Sequence, residues 1–141
     1  MARSTRVITV ADTGALYALV DRSDAWHPRV LDWWSSKPRK VYVPSVVLPE
    51  LCYLVQTRIS VEAENAIVRS VRDGEFDVID PELADFARAH ALMTIFRNLP
   101  LGYVDAMVMA IAERVDASEL LTTDRRHFTT APAKRSWALV P

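Results

Sequence analysis

Glycine is scarce in this chain. Gly14, Gly74 and Gly102 are the only three, and they stand too far apart to write a phosphate-cradling P-loop or a dinucleotide-binding fingerprint, each of which needs several glycines within one turn. Cysteine is scarcer still. Cys52 alone cannot close an internal disulfide, which fits a chain made for a reducing cytosol and leaves packing as its role. One cysteine and three scattered histidines exclude a structural zinc site, and the absence of any GxSxG elbow excludes that form of serine hydrolase chemistry. Neither sign of charge dominates: Lys and Arg number 17, Asp and Glu 18, for a net charge of −1. That balance argues against holding nucleic acid by bulk electrostatics and leaves room only for a local basic patch. Long apolar runs are missing as well. The opening MARSTRVITVADTG is basic at its start, but its apolar run is cut by Thr9 and Asp12; it reads as neither a signal peptide nor a membrane span, so a soluble intracellular protein is expected.

What is present is enough apolar material, 50% of 141 residues, to bury one sizeable core, and the expected organisation is a single domain over residues 1–141. Val7 to Ala11 (VITVA) is a β-branched run suited to a strand buried on both faces of a parallel sheet. A helix over Ala25 to Ser35, capped by Asp24, carries Trp26, Val30, Trp33 and Trp34 on one broad face, which either packs inward or meets another chain. The basic turn KPRK (37–40) precedes a strand at Val41 to Val43, and Ser45 is the expected cap of a helix reading VVLPELCYLVQTR, with Pro49 awkwardly placed near its start. Val61 to Arg72 forms an amphipathic helix behind Ser60, with Asp73 and Gly74 as its stop. A strand at Phe76 to Ile79 leads into a long helix, Pro81 to Asn98, whose apolar stripe is expected to run through Leu83, Phe86, Ala87, His90, Met93 and Phe96, with His90 in or beside the core.

The segment Pro100 to Asp124 organises the rest. A helix over Tyr103 to Val115 holds Asp105 in its first turn, a buried strand through Leu120 and Leu121 delivers Asp124 at its carboxyl end, and Asp116 and Glu119 are expected to be solvated. A last short strand covers Ser136 to Val140. Strand and helix alternate without hairpin signals, which gives an α/β fold with a central parallel sheet and helices on both faces. Four acids then stand out. Asp12 ends the first strand, where ligands bind in open parallel sheets, and it either serves such a site or only caps the following helix. Glu50 lies in an apolar helix, on an exposed face or held inside by a partner. Asp105 either complements the helix dipole or joins Asp12 and Asp124. Carboxylates gathered in an interior require cations or protons, and the metal reading follows from that requirement.

With these stretches in place, the chain resembles the PIN-domain ribonucleases, and more narrowly the VapC-type toxins of bacterial toxin–antitoxin pairs. The resemblance is carried by VADTGALYAL with Asp12, PSVVLPELCYL with Glu50, LGYVDAMVMAIAERV with Asp105 and LLTTDRRHF with Asp124, in that order over nearly the whole chain. It implies a PIN-like domain, a Mg²⁺ or Mn²⁺ site made by Asp12, Glu50, Asp105 and Asp124, endonucleolytic cleavage of RNA in the cytoplasm, a homodimer, and inhibition by a cognate antitoxin. It also places Thr13 and Thr123 beside the acids as groups that orient ligands or hold water. The chain departs from the family pattern at RRHF, where His127 stands where some members carry a further acid, and at Pro49 directly ahead of Glu50. Arg125, Arg126 and the KPRK turn are candidate contacts to RNA phosphates, or simply solvated charges. Two other functions remain compatible with the residues: a PIN-like module that binds RNA or protein without cutting, and another Mg²⁺-dependent phosphohydrolase.

Overall fold

The computed structural model describes residues 7–36, 40–99, 101–125 and 137–141. Five strands, β1 (Ile8–Ala11), β2 (Lys40–Pro44), β3 (Asp77–Ile79), β4 (Glu119–Leu121) and β5 (Ala138–Val140), alternate with six α-helices. These are α1 (Thr13–Val20), α2 (His27–Ser36), α3 (Leu48–Arg58), α4 (Val61–Arg72), α5 (Leu83–Ile95) and α6 (Tyr103–Arg114). All neighbouring strands pair in parallel, in the order β3-β2-β1-β4-β5. The expected α/β architecture is the one observed.

The topology positions the site. From β1 the chain builds outward through β2 to β3, then crosses back to place β4 on the other side of β1. The strand order therefore reverses between β1 and β4, and in open parallel sheets such a reversal opens a crevice beyond the carboxyl ends of the two strands. Asp12 directly follows β1, and the segment 122–124 directly follows β4. The two exits are tied together: Val10 and Ala11 lie in register with Leu120 and Leu121, and the Asp12 amide donates to the Leu121 carbonyl at 3.0 Å.

The core follows the apolar pattern with some exceptions. In α6 every residue from Ala106 to Ala112 is buried, so this helix is enclosed on all sides, packing against β1 and α5; its three alanines permit the close approach. Trp33 is buried in the core and Trp34 meets the Phe76 ring edge-on at 5.7 Å, so both tryptophans of α2 pack inward, while Trp26 precedes the helix. Ser60 caps α4 by accepting from the Ala63 amide at 3.0 Å, as expected, and Gly74 closes it with a φ of +75°.

Several expectations are corrected. The stripe on α5 holds only at its end, where Met93 and Phe96 pack against the core: Leu83 is 89% exposed and Phe86, Ala87 and His90 are also exposed, while Asp85, Ala89 and Leu92 are buried. The reason is long-range. Asp85 receives Arg114 from α6 at 2.9 Å and the Glu82 amide at 2.8 Å, and this pairing sets Asp85 on the inward side of α5 together with Ala89 and Leu92. Ser45 caps no helix by its side chain; it opens a single 3-10 turn, Ser45–Val47, that runs into α3. Pro49 falls in the first turn of α3, where a missing amide hydrogen costs nothing. Glu119 is half-buried and accepts from the Thr9 hydroxyl at 2.9 Å. Lys40 is a residue of β2, pairing with Asp77 at 3.2 Å, rather than part of a solvated turn; residues 37–39, like Arg126 and His127, lie outside the described residues.

Candidate active site

Asp12 is 6% exposed and its backbone is extended, as an N-cap requires. One carboxyl oxygen, Oδ1, accepts from the Ala15 amide at 2.8 Å. The other, Oδ2, is bonded to the Thr122 hydroxyl. The capping reading of this residue is realised, and its second oxygen faces the end of β4.

Among the described residues no cation is paired with this carboxyl. Burial pushes its pKa up from the ordinary 3.8 to about 7; the bonds from Thr122 and Ala15 pull it down, and the negative charges of Asp105 and Asp124 push it further up. Those two acids, drawn from the first turn of α6 and the exit of β4, therefore lie within electrostatic reach of Asp12. Both are half-buried. Glu50 is exposed in the first turn of α3 and is not among the charges that reach Asp12. Among the described residues, no group of three or more His, Cys, Asp or Glu side chains is arranged so that it could hold a metal ion.

Thr122 is the residue that sequence reasoning passed over in favour of its neighbours. It is fully buried; its hydroxyl accepts from the Asp124 amide at 3.1 Å and reaches the Asp124 carbonyl at 2.9 Å as well as Asp12. A hydroxyl has one proton, so it serves either Asp12 or that carbonyl at a given moment. With Asp12 ionised the proton points to Asp12. With Asp12 protonated, Asp12 donates to Thr122 and Thr122 donates to the Asp124 carbonyl. The signal that could have found it is the strand period: Thr122 sits two residues after Leu120 and shares its inward face.

The two threonines expected beside the acids behave differently. Thr13 is buried, and its hydroxyl oxygen has no hydrogen-bond partner among the described residues, an orphan of the kind that a water or ligand ordinarily satisfies. Thr123 lies against α1: a Cβ placed on Gly14 would meet the Thr123 hydroxyl oxygen at 2.9 Å, so glycine at 14 allows this close approach.

The donor set fits a hard divalent cation. Carboxylate oxygens are the ligands that Mg²⁺ and Mn²⁺ take, and Mg²⁺ in particular is held by one or two carboxylates, with waters and substrate phosphate completing the shell. An incomplete protein cage is compatible with that mode. Burial, more than the neighbouring acids, raises the Asp12 pKa and so favours a proton or a cation on this carboxyl, and the hydroxyl of the adjacent Thr13 has no hydrogen-bond partner among the described residues.

Comparison with known proteins points the same way. Residues 9–133 match the sequence profile of the PIN domain. Ribonuclease VapC26 of Mycobacterium tuberculosis (strain ATCC 25618 / H37Rv) is 32% identical over 120 residues, covering 85% of this chain and 89% of that protein. Among solved structures, the sarcin-ricin loop cleaving toxin VapC20 of Mycobacterium tuberculosis superimposes with a TM-score of 0.77 at 22% identity, covering 84% of this chain and 91% of that one. A chain of VapBC2 from Rickettsia felis, bound to a DNA fragment from its promoter, gives a TM-score of 0.70 at 18% identity over 94% of this chain and 97% of that one. This chain, with its five-stranded parallel sheet and a profile match over residues 9–133, belongs to the PIN domain family.

Proposed function

We infer that this protein is an endoribonuclease, the toxin of a toxin–antitoxin pair, which hydrolyses RNA phosphodiester bonds. The relative of known activity, 32% identical, is a ribonuclease, and the observation that carries the reading to these residues is the buried Asp12 carboxyl, raised to about 7 beside Asp105 and Asp124. Asp12, Asp105 and Asp124 are the proposed metal ligands, and Glu50, exposed at the start of α3, is proposed to orient the attacking water or to bind the ion once substrate is present. Mg²⁺, with Mn²⁺ as substitute, is the proposed ion. When bound, it supplies water activation and neutralisation of phosphate charge.

The residues of the chain do the rest. Ala15 and Thr122 fix the two oxygens of Asp12 in direction, Thr122 holds the turn that carries Asp124, and the enclosed helix α6 sets Asp105 on a rigid mount. The Thr13 hydroxyl is proposed to hold a water at the site. In the reaction, water oxygen bonds to phosphorus as the opposite phosphorus–oxygen bond breaks, and the departing oxygen takes a proton.

The partners follow the same reading. Chains of this fold occur in VapBC and other toxin–antitoxin complexes, and a cognate antitoxin is the proposed inhibitor. A cytoplasmic homodimer is proposed as the working form, residues 1–141 acting as one domain. Exposed Leu83, Phe86 and Tyr103 offer apolar surface for a second copy to cover; among the described residues no helix is long and apolar enough to cross a membrane. The test is RNA cleavage by purified protein with Mg²⁺ or Mn²⁺. Wild type should cut and Asp105→Asn should not; equal cutting by both would sink the assigned site.

A further inference from the structure

The first amide hydrogens of a helix have no partner within it, and in α1 they belong to residues 12–15. Two of them are accounted for: the Asp12 amide donates to the Leu121 carbonyl at 3.0 Å, and the Ala15 amide donates to Asp12 Oδ1 at 2.8 Å. The amides of Thr13 and Gly14 have no partner among the described residues. A second, independent observation stands at the same end. The Thr13 side chain is 6% exposed, and its hydroxyl oxygen also has no partner among the described residues. Because the Cα–Cβ bonds of a helix tilt toward its N-terminus, this hydroxyl leans back toward the open amides. A buried hydroxyl left without a partner costs free energy that a bound acceptor recovers. Access is from Gly14, which is exposed; a Cβ there would lie 2.9 Å from the Thr123 hydroxyl oxygen and 3.8 Å from Asp12 Oδ1, so the open helix end adjoins the Asp12 carboxyl.

We propose that the Thr13 amide, the Gly14 amide and the Thr13 hydroxyl form a subsite for a phosphate group of the RNA strand at the N-terminus of α1, a reading that rests on the nuclease function above. All three groups can donate, and the helix adds partial positive charge at the same end, so the subsite takes an anion. A non-bridging phosphate oxygen has lone pairs for more than one of these donors, and each bond to a charged acceptor is stronger than one to water. The water proposed above on Thr13 is the one that this oxygen displaces. The division of labour is physical: carboxylates serve the cation, and uncharged donors on the next two residues serve the phosphate. An arginine in their place would pair with the acids instead. A chain with a net charge of −1 thus holds phosphate beside its acids without a compensating cationic side chain.

The test is equilibrium binding of a short fluorescent single-stranded RNA in EDTA, followed by anisotropy, for wild type, Thr13→Ser, Thr13→Val and Thr13→Pro, together with steady-state cleavage in Mg²⁺. In EDTA the acids repel the strand equally in every variant, so ratios of Kd isolate the lost donors. Thr13→Pro suits the helix: proline is favoured at the first helical position, and Asp12 ahead of it has φ −93° and ψ 174°, the extended backbone that a following proline requires. Thr13→Ser keeps both donors and should bind within about twofold of wild type. Thr13→Val, which loses the hydroxyl, should raise Kd about tenfold, and Thr13→Pro, which loses the amide as well, about tenfold further. In cleavage, kcat/KM should fall in the same order. Thr13→Val matches threonine in shape, so it decides the matter even if Thr13→Pro fails to fold. Wild-type Kd in the folded Val and Pro variants, or no RNA binding by wild type, would overturn the subsite, with cleavage by wild type leaving the nuclease reading standing. Wild type that binds RNA with the expected order of variants but does not cut it would overturn the nuclease reading instead.

Discussion

Asp12 and Asp85 are both buried carboxylates, 6% and 2% exposed, yet the molecule treats them in opposite ways. Asp85 in α5 is enclosed by cationic and amide donors: Arg114 at 2.9 Å and 3.1 Å and the Glu82 amide at 2.8 Å, with Arg114 bonded onward to the Asp80 carbonyl at 3.1 Å. Arg88 and Glu113 form a second bridge between the same helices at 2.8 Å. Asp12, by contrast, has one amide, one hydroxyl and two neighbouring negative charges. A buried acid that brings its own cation is structural. One that lies within reach of two further acids at a strand exit is, on the function proposed above, open to a cation from outside, which would offset the electrostatic cost of its burial.

The largest expected effect separates the two on activity. Asp12→Asn should lower RNA cleavage by roughly a thousandfold, equivalent to about 4 kcal/mol of transition-state stabilisation, without loss of the fold by circular dichroism. Asp85→Ala should leave cleavage by the folded fraction nearly intact.

Stability against pH should show nearly as large a contrast. The folded pKa of Asp12, about 7, lies above its ordinary 3.8, so between those values the folded state holds the proton that the unfolded state has released. Stability should therefore fall as pH rises from about 4 to about 7, by about 4 kcal/mol in total at 1.36 kcal/mol per unit, and level off above. Asp12→Asn should flatten that slope in chemical denaturation, and added Mg²⁺ should reduce it, because cation and proton compete for the same carboxyl. A wild-type profile that rises over this window would break the contrast.

Next in size is the structural acid. Asp85→Ala removes the partner of a mostly buried Arg114 and should destabilise by about 3 kcal/mol, read as a fall in Tm of about 10 °C. Smaller still, Thr122→Val removes the hydroxyl shared by Asp12 and Asp124; it should cost about 1–2 kcal/mol of stability and lower Mg²⁺ affinity about tenfold or more. Gly14→Ala should have the least effect, under about 1 kcal/mol, because the Thr123 hydroxyl oxygen that a Cβ would meet at 2.9 Å can rotate away.

The same comparison explains what was legible in the chain. The sheet, the crossover helices and the position of Asp12 follow from local pattern: VITVA can only be a buried strand, and an acid after it stands at a strand exit. The burial of α6 was likewise readable from its alanines and apolar residues. The inward face of α5 was not, because it depends on Arg114, 29 residues away from Asp85; with that partner invisible, Leu83, Phe86 and His90 looked like the stripe. Thr122 was missed for a related reason. Three polar residues end β4 in sequence; the strand period puts Thr122 on the face of Leu120, and the register of β1 against β4 brings that face to Asp12. Trp26 was grouped with Trp33 and Trp34 by helical spacing, whereas it precedes α2 and meets arginines from two separate parts of the chain.

Calorimetric titration of Mg²⁺ into the wild type, Asp12→Asn and Asp85→Asn near pH 7.5 tests the central contrast most directly. The account predicts binding by the wild type and by Asp85→Asn with similar affinity, and a loss of at least about tenfold in Asp12→Asn. Equal affinity in Asp12→Asn and wild type would contradict it.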